Sequence, residues 1–199
     1  MDLSRVSNHA PSAVTDAGQQ AAVLAPILVR DGTEHVLFTK RADHLGEHPG
    51  QMSFPGGSRE PEDRGLESTA LREANEEIGL YSEEAAVFGR LDDIRTVTDY
   101  SVRPYVAGVP DRDYDPDERE VAEVVALPVP ALIDLDNYES ERREHPVYGE
   151  HRVHYFHVGD YTVWGATGRM LVQLLELTTE WTAPEDVDRV VDADAELPV

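Results

Sequence analysis

The sequence predicts an α/β fold in which a mixed β-sheet lies between helices. Runs rich in β-branched apolar residues, Ala21 to Arg30, Val102 to Val109 and Val121 to Leu127 among them, read as strands. Between them, Leu66, Ala70, Ala74 and Ile78 recur every four residues, which is the apolar stripe of an amphipathic helix. A second amphipathic stretch, Thr167 to Leu177, reads as a long helix near the end of the chain.

Taken in order, residues 1–20 are small and polar and read as a flexible lead-in. A single domain follows over residues 21–181, and residues 182–199 read as an acidic tail. Ala21 to Arg30 is a buried strand, Asp31-Gly32 a turn, and His35 to Thr39 the returning strand of a hairpin. Lys40 to Met52, polar and rich in Gly and His, is a loop, and Ser53 to Gly57 ends in a tight glycine turn. The helix runs from Leu66 to Ile78, with Asp63 near its positive end and Gly79 as its terminating glycine. Glu84 to Arg90 is a strand, Leu91 to Tyr100 is strand or loop, and Asp111 to Glu118 is an acidic loop. Pro128-Val129-Pro130 leads into a short helix, Ala131 to Leu135, and Asp136 to Glu144 is charged and expected to be solvated. A second hairpin around Gly149-Glu150 joins Pro146–Tyr148 to Val153–Val158.

Composition narrows the function. The 199 residues carry a formal charge of -23, and Lys40 is the only lysine. Bulk attraction to nucleic acid or to an anionic membrane is therefore not expected. So acidic a surface suits a halophilic, high-salt cytoplasm, where self-repulsion is screened. The chain has no cysteine, which removes disulfides, thiolate catalysis and Cys-based zinc sites. No apolar run long enough for a membrane span and no signal peptide is read, so a cytoplasmic protein is expected.

Glu73, Glu76 and Glu77 share one helix face, at spacings i, i+3 and i+4. Three carboxylates there repel one another unless a cation compensates, and hard oxygen ligands suit Mg²⁺ or Mn²⁺. A cation so held would neutralise a substrate's crowded phosphate charge and acidify a water. Either Glu73 or Glu76 would serve as general base, and Arg72 would pair with Glu76 at i+4 and orient it. Gly56 and Gly57 let the backbone pass close to the site without side chains. In an otherwise acidic chain, Lys40, Arg41 and Arg59 form a local basic group suited to substrate phosphates. Glu120, at a strand start, is the further acid expected to complete the metal set. His44 and His48 read as polar surface residues. Tyr105, Tyr155 and Trp164 have rings that would stack an adenine, although Trp164 fits core packing better.

The pattern Gly57…Arg72-Glu73-x-x-Glu76-Glu77-x-Gly79-Leu80 resembles the Nudix box. The resemblance implies an α/β/α sandwich, the Nudix fold, and hydrolysis of a diphosphate linked to another moiety, with a divalent metal bound by the helix glutamates. The loop between Gly57 and Arg72 is one residue longer than in the standard box, which leaves Asp63 or Glu62 as its first acid. Leu37-Phe38-Thr39-Lys40-Arg41-Ala42, Gly50 and Phe54-Pro55-Gly56-Gly57 resemble the signature of coenzyme A pyrophosphatases, a subgroup with the longer loop. Ala21 to Pro26 and Tyr161 to Thr167 are similar to its flanking segments. Two positions depart from it: Phe38 stands for a usual Leu and Gly46 for a usual Arg.

That resemblance implies cleavage of coenzyme A or an acyl-CoA into phosphopantetheine and adenosine bisphosphate. The departure at Gly46 keeps another small-molecule nucleoside diphosphate derivative open: ADP-ribose, a dinucleotide or a damaged nucleotide. A nucleotide-binding regulator without hydrolysis is the third reading, and the intact Arg72, Glu73, Glu76 and Glu77 argue against it. Related enzymes often form homodimers.

Overall fold

The computed structural model describes residues 1–42, 44, 50–96, 99–145, 149–192 and 195. Its elements are α1 (Ser4–Ser7), β1 (Gln19–Arg30), β2 (Thr33–Arg41), β3 (Met52–Ser53), β4 (Gly56–Ser58), α2 (Leu66–Ile78), β5 (Ala86–Arg90) and β6 (Ile94–Arg95). There follow β7 (Tyr100–Gly108), β8 (Val121–Pro128), α3 (Val129–Leu132), β9 (Tyr138–His145), β10 (Gly149–Val158), β11 (Tyr161–Val163), α4 (Gly165–Thr178) and β12 (Arg189–Val191).

β1 organises the main sheet. The Asp31-Gly32 turn, with φ of 50° and 77°, folds β2 back on it antiparallel. Positive φ at both central residues matches the twist of the paired strands. β7 lies parallel to β1 on its other side, so the sheet is mixed, in the order β3-β2-β1-β7-β5. β4 joins β1 where β2 has diverged, and β8 pairs with β2.

The alternation of side chains along β1 sorts the core into two layers. Ala22, Leu24 and Leu28 face α2, packing with Leu66, Ala70, Ala74 and Ile78. Ala25 and Ile27 face the other way, into a core cluster shared with Met170, Leu171, Leu174 and Leu175 of α4. Burying each large aliphatic side chain is worth roughly 1.5–3 kcal/mol. The layers are thus α2, the main sheet, and then α4 together with a second, four-stranded sheet in the order β11-β10-β9-β12. Among the described residues no helix is long and apolar enough to cross a membrane.

Several local expectations are corrected. Residues 1–20 are no loose lead-in: α1 buries Val6 at 2% exposure, and β1 already begins at Gln19. The segment Asp136 to Glu144, expected to be solvated, largely forms β9, which pairs with β10 on one side and β12 on the other. Asp136, Arg142 and Glu144 are exposed, but the inward charge is matched: Glu141, 1% exposed, accepts from Tyr155 Oη at 2.7 Å and pairs with Arg143 at 2.8 Å and Arg189 at 3.0 Å. The acidic tail consequently contributes the strand β12. The second hairpin turns near Gly149 (φ 68°) as expected, but β9 is its first arm, and residues 146–148 lie outside those described. The Ser53–Gly57 turn is flanked by the short strands β3 and β4.

Candidate active site

Helix α2 carries the site, and its ends are fixed locally. Ser68 Oγ donates to Gly65 O at 2.7 Å and accepts from Gly65 N at 3.0 Å, closing the first turn. Gly79 ends the helix in the left-handed region, φ 65°, and Leu80 behind it is fully buried.

The longer box loop is anchored by Asp63, which decides between the two acids. Arg72 Nε and Nη2 reach Asp63 Oδ1 and Oδ2 at 3.1 and 3.2 Å. Asp63 also accepts from Thr69 Oγ1 and Glu60 N, each at 2.9 Å. The Arg72 hydrogen bonds dominate in lowering the Asp63 carboxyl to about 2. From this anchor Arg72 reaches Glu76 at 2.9 Å, Glu73 at 3.0 Å and the Ser58 carbonyl at 3.0 Å. The expected Arg72–Glu76 pair is present, and Arg72 holds Glu73 as well.

The two glycines of the Phe54-Pro55-Gly56-Gly57 run do different work: a side chain at Gly56 would meet backbone, and one at Gly57 would meet the Glu73 carboxylate. A Cβ on Gly56 would lie 2.4 Å from Ala22 O, and one on Gly57 would lie 2.5 Å from Glu73 Oε1. The Gly56 amide donates to Glu77 Oε2 at 3.2 Å. Glu77 is nevertheless pushed up to about 8, chiefly by burial and further by the charges of Glu73 and Glu120; Gly56 N–H and Arg41 oppose the rise. Burial likewise raises Glu73, against the pull of Arg72 and with repulsion from Glu76 and Glu120 adding to it.

Tertiary structure therefore brings Glu73, Glu76, Glu77, Glu120 and Arg41 into one electrostatic neighbourhood. The remaining cations sit elsewhere. Lys40 Nζ lies 6.0 Å from the Tyr161 ring centre, and its strand partner is Glu123. Arg59 Nη1 donates to Gln20 Oε1 at 3.2 Å at the outer end of β1. Tyr155 is fully buried and stacks on Trp164 at 6.3 Å, so its ring belongs to packing, and Tyr105 packs beside the α2 core. His44 is exposed. Gly46 and His48 lie outside the described residues.

Among the described residues no three His, Asp or Glu side chains stand close enough together to enclose a metal ion as they are placed. Arg72 draws Glu73 and Glu76, and the Gly56 amide holds Glu77. The chemistry of the donors fits a hard divalent cation all the same. A buried carboxyl pushed up to about 8 by burial and by two further acids is short of positive charge, and every nearby donor is oxygen.

Comparison with known proteins shows the family. A family model, the NUDIX domain, matches residues 18–148. The chain belongs to the Nudix hydrolase family. A Nudix hydrolase named NudL from Enterobacter sp. (strain 638) is 39% identical over 160 residues, covering 78% of this chain and 81% of its own. NudL from Yersinia pestis (strain Pestoides F) is 36% identical over 159 residues, 79% of each chain. Neither name carries a substrate. A solved Nudix hydrolase from M. smegmatis, RenU, aligns with a TM-score of 0.48 at 23% identity, over 55% of this chain and 70% of its own. The reaction of this Nudix enzyme is hydrolysis of a pyrophosphate bond, and hydrolases of this family generally use divalent metal ions.

The residues that pure sequence reasoning missed lie after the box. Asp117 N donates to the Glu77 carbonyl at 2.9 Å, and Arg112 binds the Gly79 carbonyl at 2.9 Å. The acidic composition of residues 111–118 concealed both contacts, since nothing local marks a loop that docks on a helix end.

Proposed function

We propose that this Nudix enzyme cleaves the diphosphate of coenzyme A or an acyl-CoA, giving phosphopantetheine and adenosine bisphosphate, with Mg²⁺ or Mn²⁺ held by Glu73, Glu76, Glu77 and Glu120. The observation that carries the reading is the pair of half-buried acids Glu73 and Glu77, both acted on by the charge of the exposed Glu120, with Arg41 acting on Glu77. A bound divalent cation supplies charge neutralisation and Lewis acidity at the diphosphate.

The chain's own residues do the rest. Arg41 acts on Glu77 and is placed to take phosphate charge next to the carboxylates. Glu73 or Glu76 would serve as general base, both held by Arg72 at 3.0 and 2.9 Å. Arg72, fixed by Asp63, orients Glu73 and Glu76. Gly57 leaves the room that the Glu73 carboxylate occupies.

Coenzyme A is favoured by the run Leu37 to Ala42 with Gly50 and Phe54 to Gly57. Those segments contribute to β2 and β4 and include Arg41 and both site glycines. A second reading, the same chemistry on ADP-ribose, a dinucleotide or a damaged nucleotide, is favoured by Gly46, where the subgroup's usual Arg is replaced.

The test is incubation with coenzyme A, ADP-ribose, NADH and diadenosine polyphosphates in Mg²⁺ or Mn²⁺ at high salt, with products identified by chromatography. Preferential release of phosphopantetheine from coenzyme A is expected. Turnover of the others with coenzyme A untouched would favour the second reading. Tight nucleotide binding without any turnover would refute hydrolysis.

A further inference from the structure

The loop after β7 is tied to the C-terminal end of α2 more firmly than a surface connection requires. Arg112 makes a two-pronged pair with Glu84, Nε to Oε1 at 3.0 Å and Nη2 to Oε2 at 2.7 Å. The same Nη2 donates to the Gly79 carbonyl at 2.9 Å, and Nη1 to the Asp113 carbonyl at 2.9 Å. The guanidinium also lies 4.4 Å from the Tyr114 ring centre, and Tyr114 Oη donates to Pro110 O at 2.7 Å. Glu84 in turn accepts from Tyr81 N at 3.0 Å, so the fork is held on both sides.

Beyond this fork the loop touches the site helix again. Asp117 donates its amide to the Glu77 carbonyl at 2.9 Å, and its own carbonyl accepts from the amides of Glu120 and Val121, each at 2.9 Å. One residue therefore links the backbone of Glu77 to the backbone of Glu120. The Glu120 charge then acts on both Glu73 and Glu77. Arg112 grips the loop upstream of that link and the Gly79 carbonyl just past the end of α2, where a cation also complements the helix dipole.

We propose that Arg112 and Glu84 form a latch that sets the position of the Glu120 carboxylate against Glu73 and Glu77. Arg112 is a positioning residue outside the box that tunes affinity for the divalent cation. The proposal rests on the metal assignment of Glu120 made above. A supporting shell of this kind typically changes metal affinity 10–100-fold when it is removed. The arginine fork, rather than charge alone, is required, because both prongs reach one carboxylate while a third bond reaches Gly79.

The experiment titrates Mn²⁺ into the full-length protein by calorimetry, without substrate. Its subjects are wild type, Arg112→Met, Arg112→Lys, Glu120→Gln, the Arg112→Met/Glu120→Gln double variant and Glu77→Gln. Arg112→Met is expected to weaken Mn²⁺ by about 10-fold or more, with Arg112→Lys recovering only part of the loss. In the Glu120→Gln background the same change is expected to cost less than about 2-fold, because coupled residues are non-additive. An equal loss in both backgrounds would show that Arg112 acts on the fold and not through Glu120, overturning the latch. Weakening by Glu77→Gln with none by Glu120→Gln would overturn it while the metal site on α2 survives. Unchanged Mn²⁺ affinity in every variant would remove the metal assignment and the latch together. If Arg112→Met does not fold, Glu84→Gln breaks the same fork from its other side and is read by the same cycle.

Discussion

The Gly56 amide hydrogen-bonds the Glu77 carboxylate at 3.2 Å, so the strand edge of β4 binds an acid of helix α2. One N–H does not offset the loss of hydration. Burial, helped by Glu73 and Glu120, still pushes that carboxyl up to about 8.

This has a sign in stability. The folded state holds the Glu77 proton more tightly than the unfolded chain, whose carboxyl titrates near its ordinary 4.5. The contribution is complete below that value and is lost as pH rises through about 8. Metal-free protein is therefore expected to lose more Tm between about pH 5 and about pH 9 than Glu77→Gln does, measured by scanning calorimetry. An identical pH dependence in the two proteins would show that Glu77 is ionised throughout.

Gly56 and Gly57 should separate fold from site. Gly57→Ala puts a methyl against the Glu73 carboxylate, the far end of a flexible side chain, so the side chain shifts and the fold survives. A kcat/KM loss on the order of 10²-fold with little change in Tm is expected. Gly56→Ala meets Ala22 O and Val23 Cα, which are backbone and cannot move aside. Destabilisation of roughly 1–3 kcal/mol or more is expected in urea unfolding. Equal effects of the two substitutions on stability would contradict this division.

Asp63 and Glu62 make a matched pair of tests. Asp63→Asn removes the charge that holds Arg72 Nε and Nη2, at a cost of roughly 1.5–3 kcal/mol in stability. Activity should fall with it, because Arg72 orients Glu73 and Glu76. Glu62→Gln should leave both quantities near wild type. Steady-state kinetics and denaturant melts on the two variants decide the matter.

Salt should stabilise the whole chain. With a formal charge of -23, self-repulsion is relieved as the Debye length shrinks. Tm is expected to climb from dilute buffer into molar KCl. A flat or falling dependence would show that the acidic surface is no adaptation to salt.

What the sequence determined by itself was what local rules govern. Period and capping placed α2 at Leu66–Ile78 and stopped it at Gly79, and Asp31-Gly32 made the first hairpin. The spacing of the helix glutamates from Arg72 and Gly57 pointed to the family that the NUDIX domain match then showed. Tertiary structure alone decided what depends on distant partners. Glu139 and Glu141 looked solvated because their Arg189 partner stands about fifty residues on, in a strand that composition marks as tail. Asp63 prevailed over Glu62 because the folded loop turns its carboxylate, not its neighbour's, onto Arg72. Asp117 joins the backbones of Glu77 and Glu120, a contact that closes only when the loop after β7 packs on the helix. Charge pairing across such separations leaves no period in a sequence, whereas helix faces and turns do.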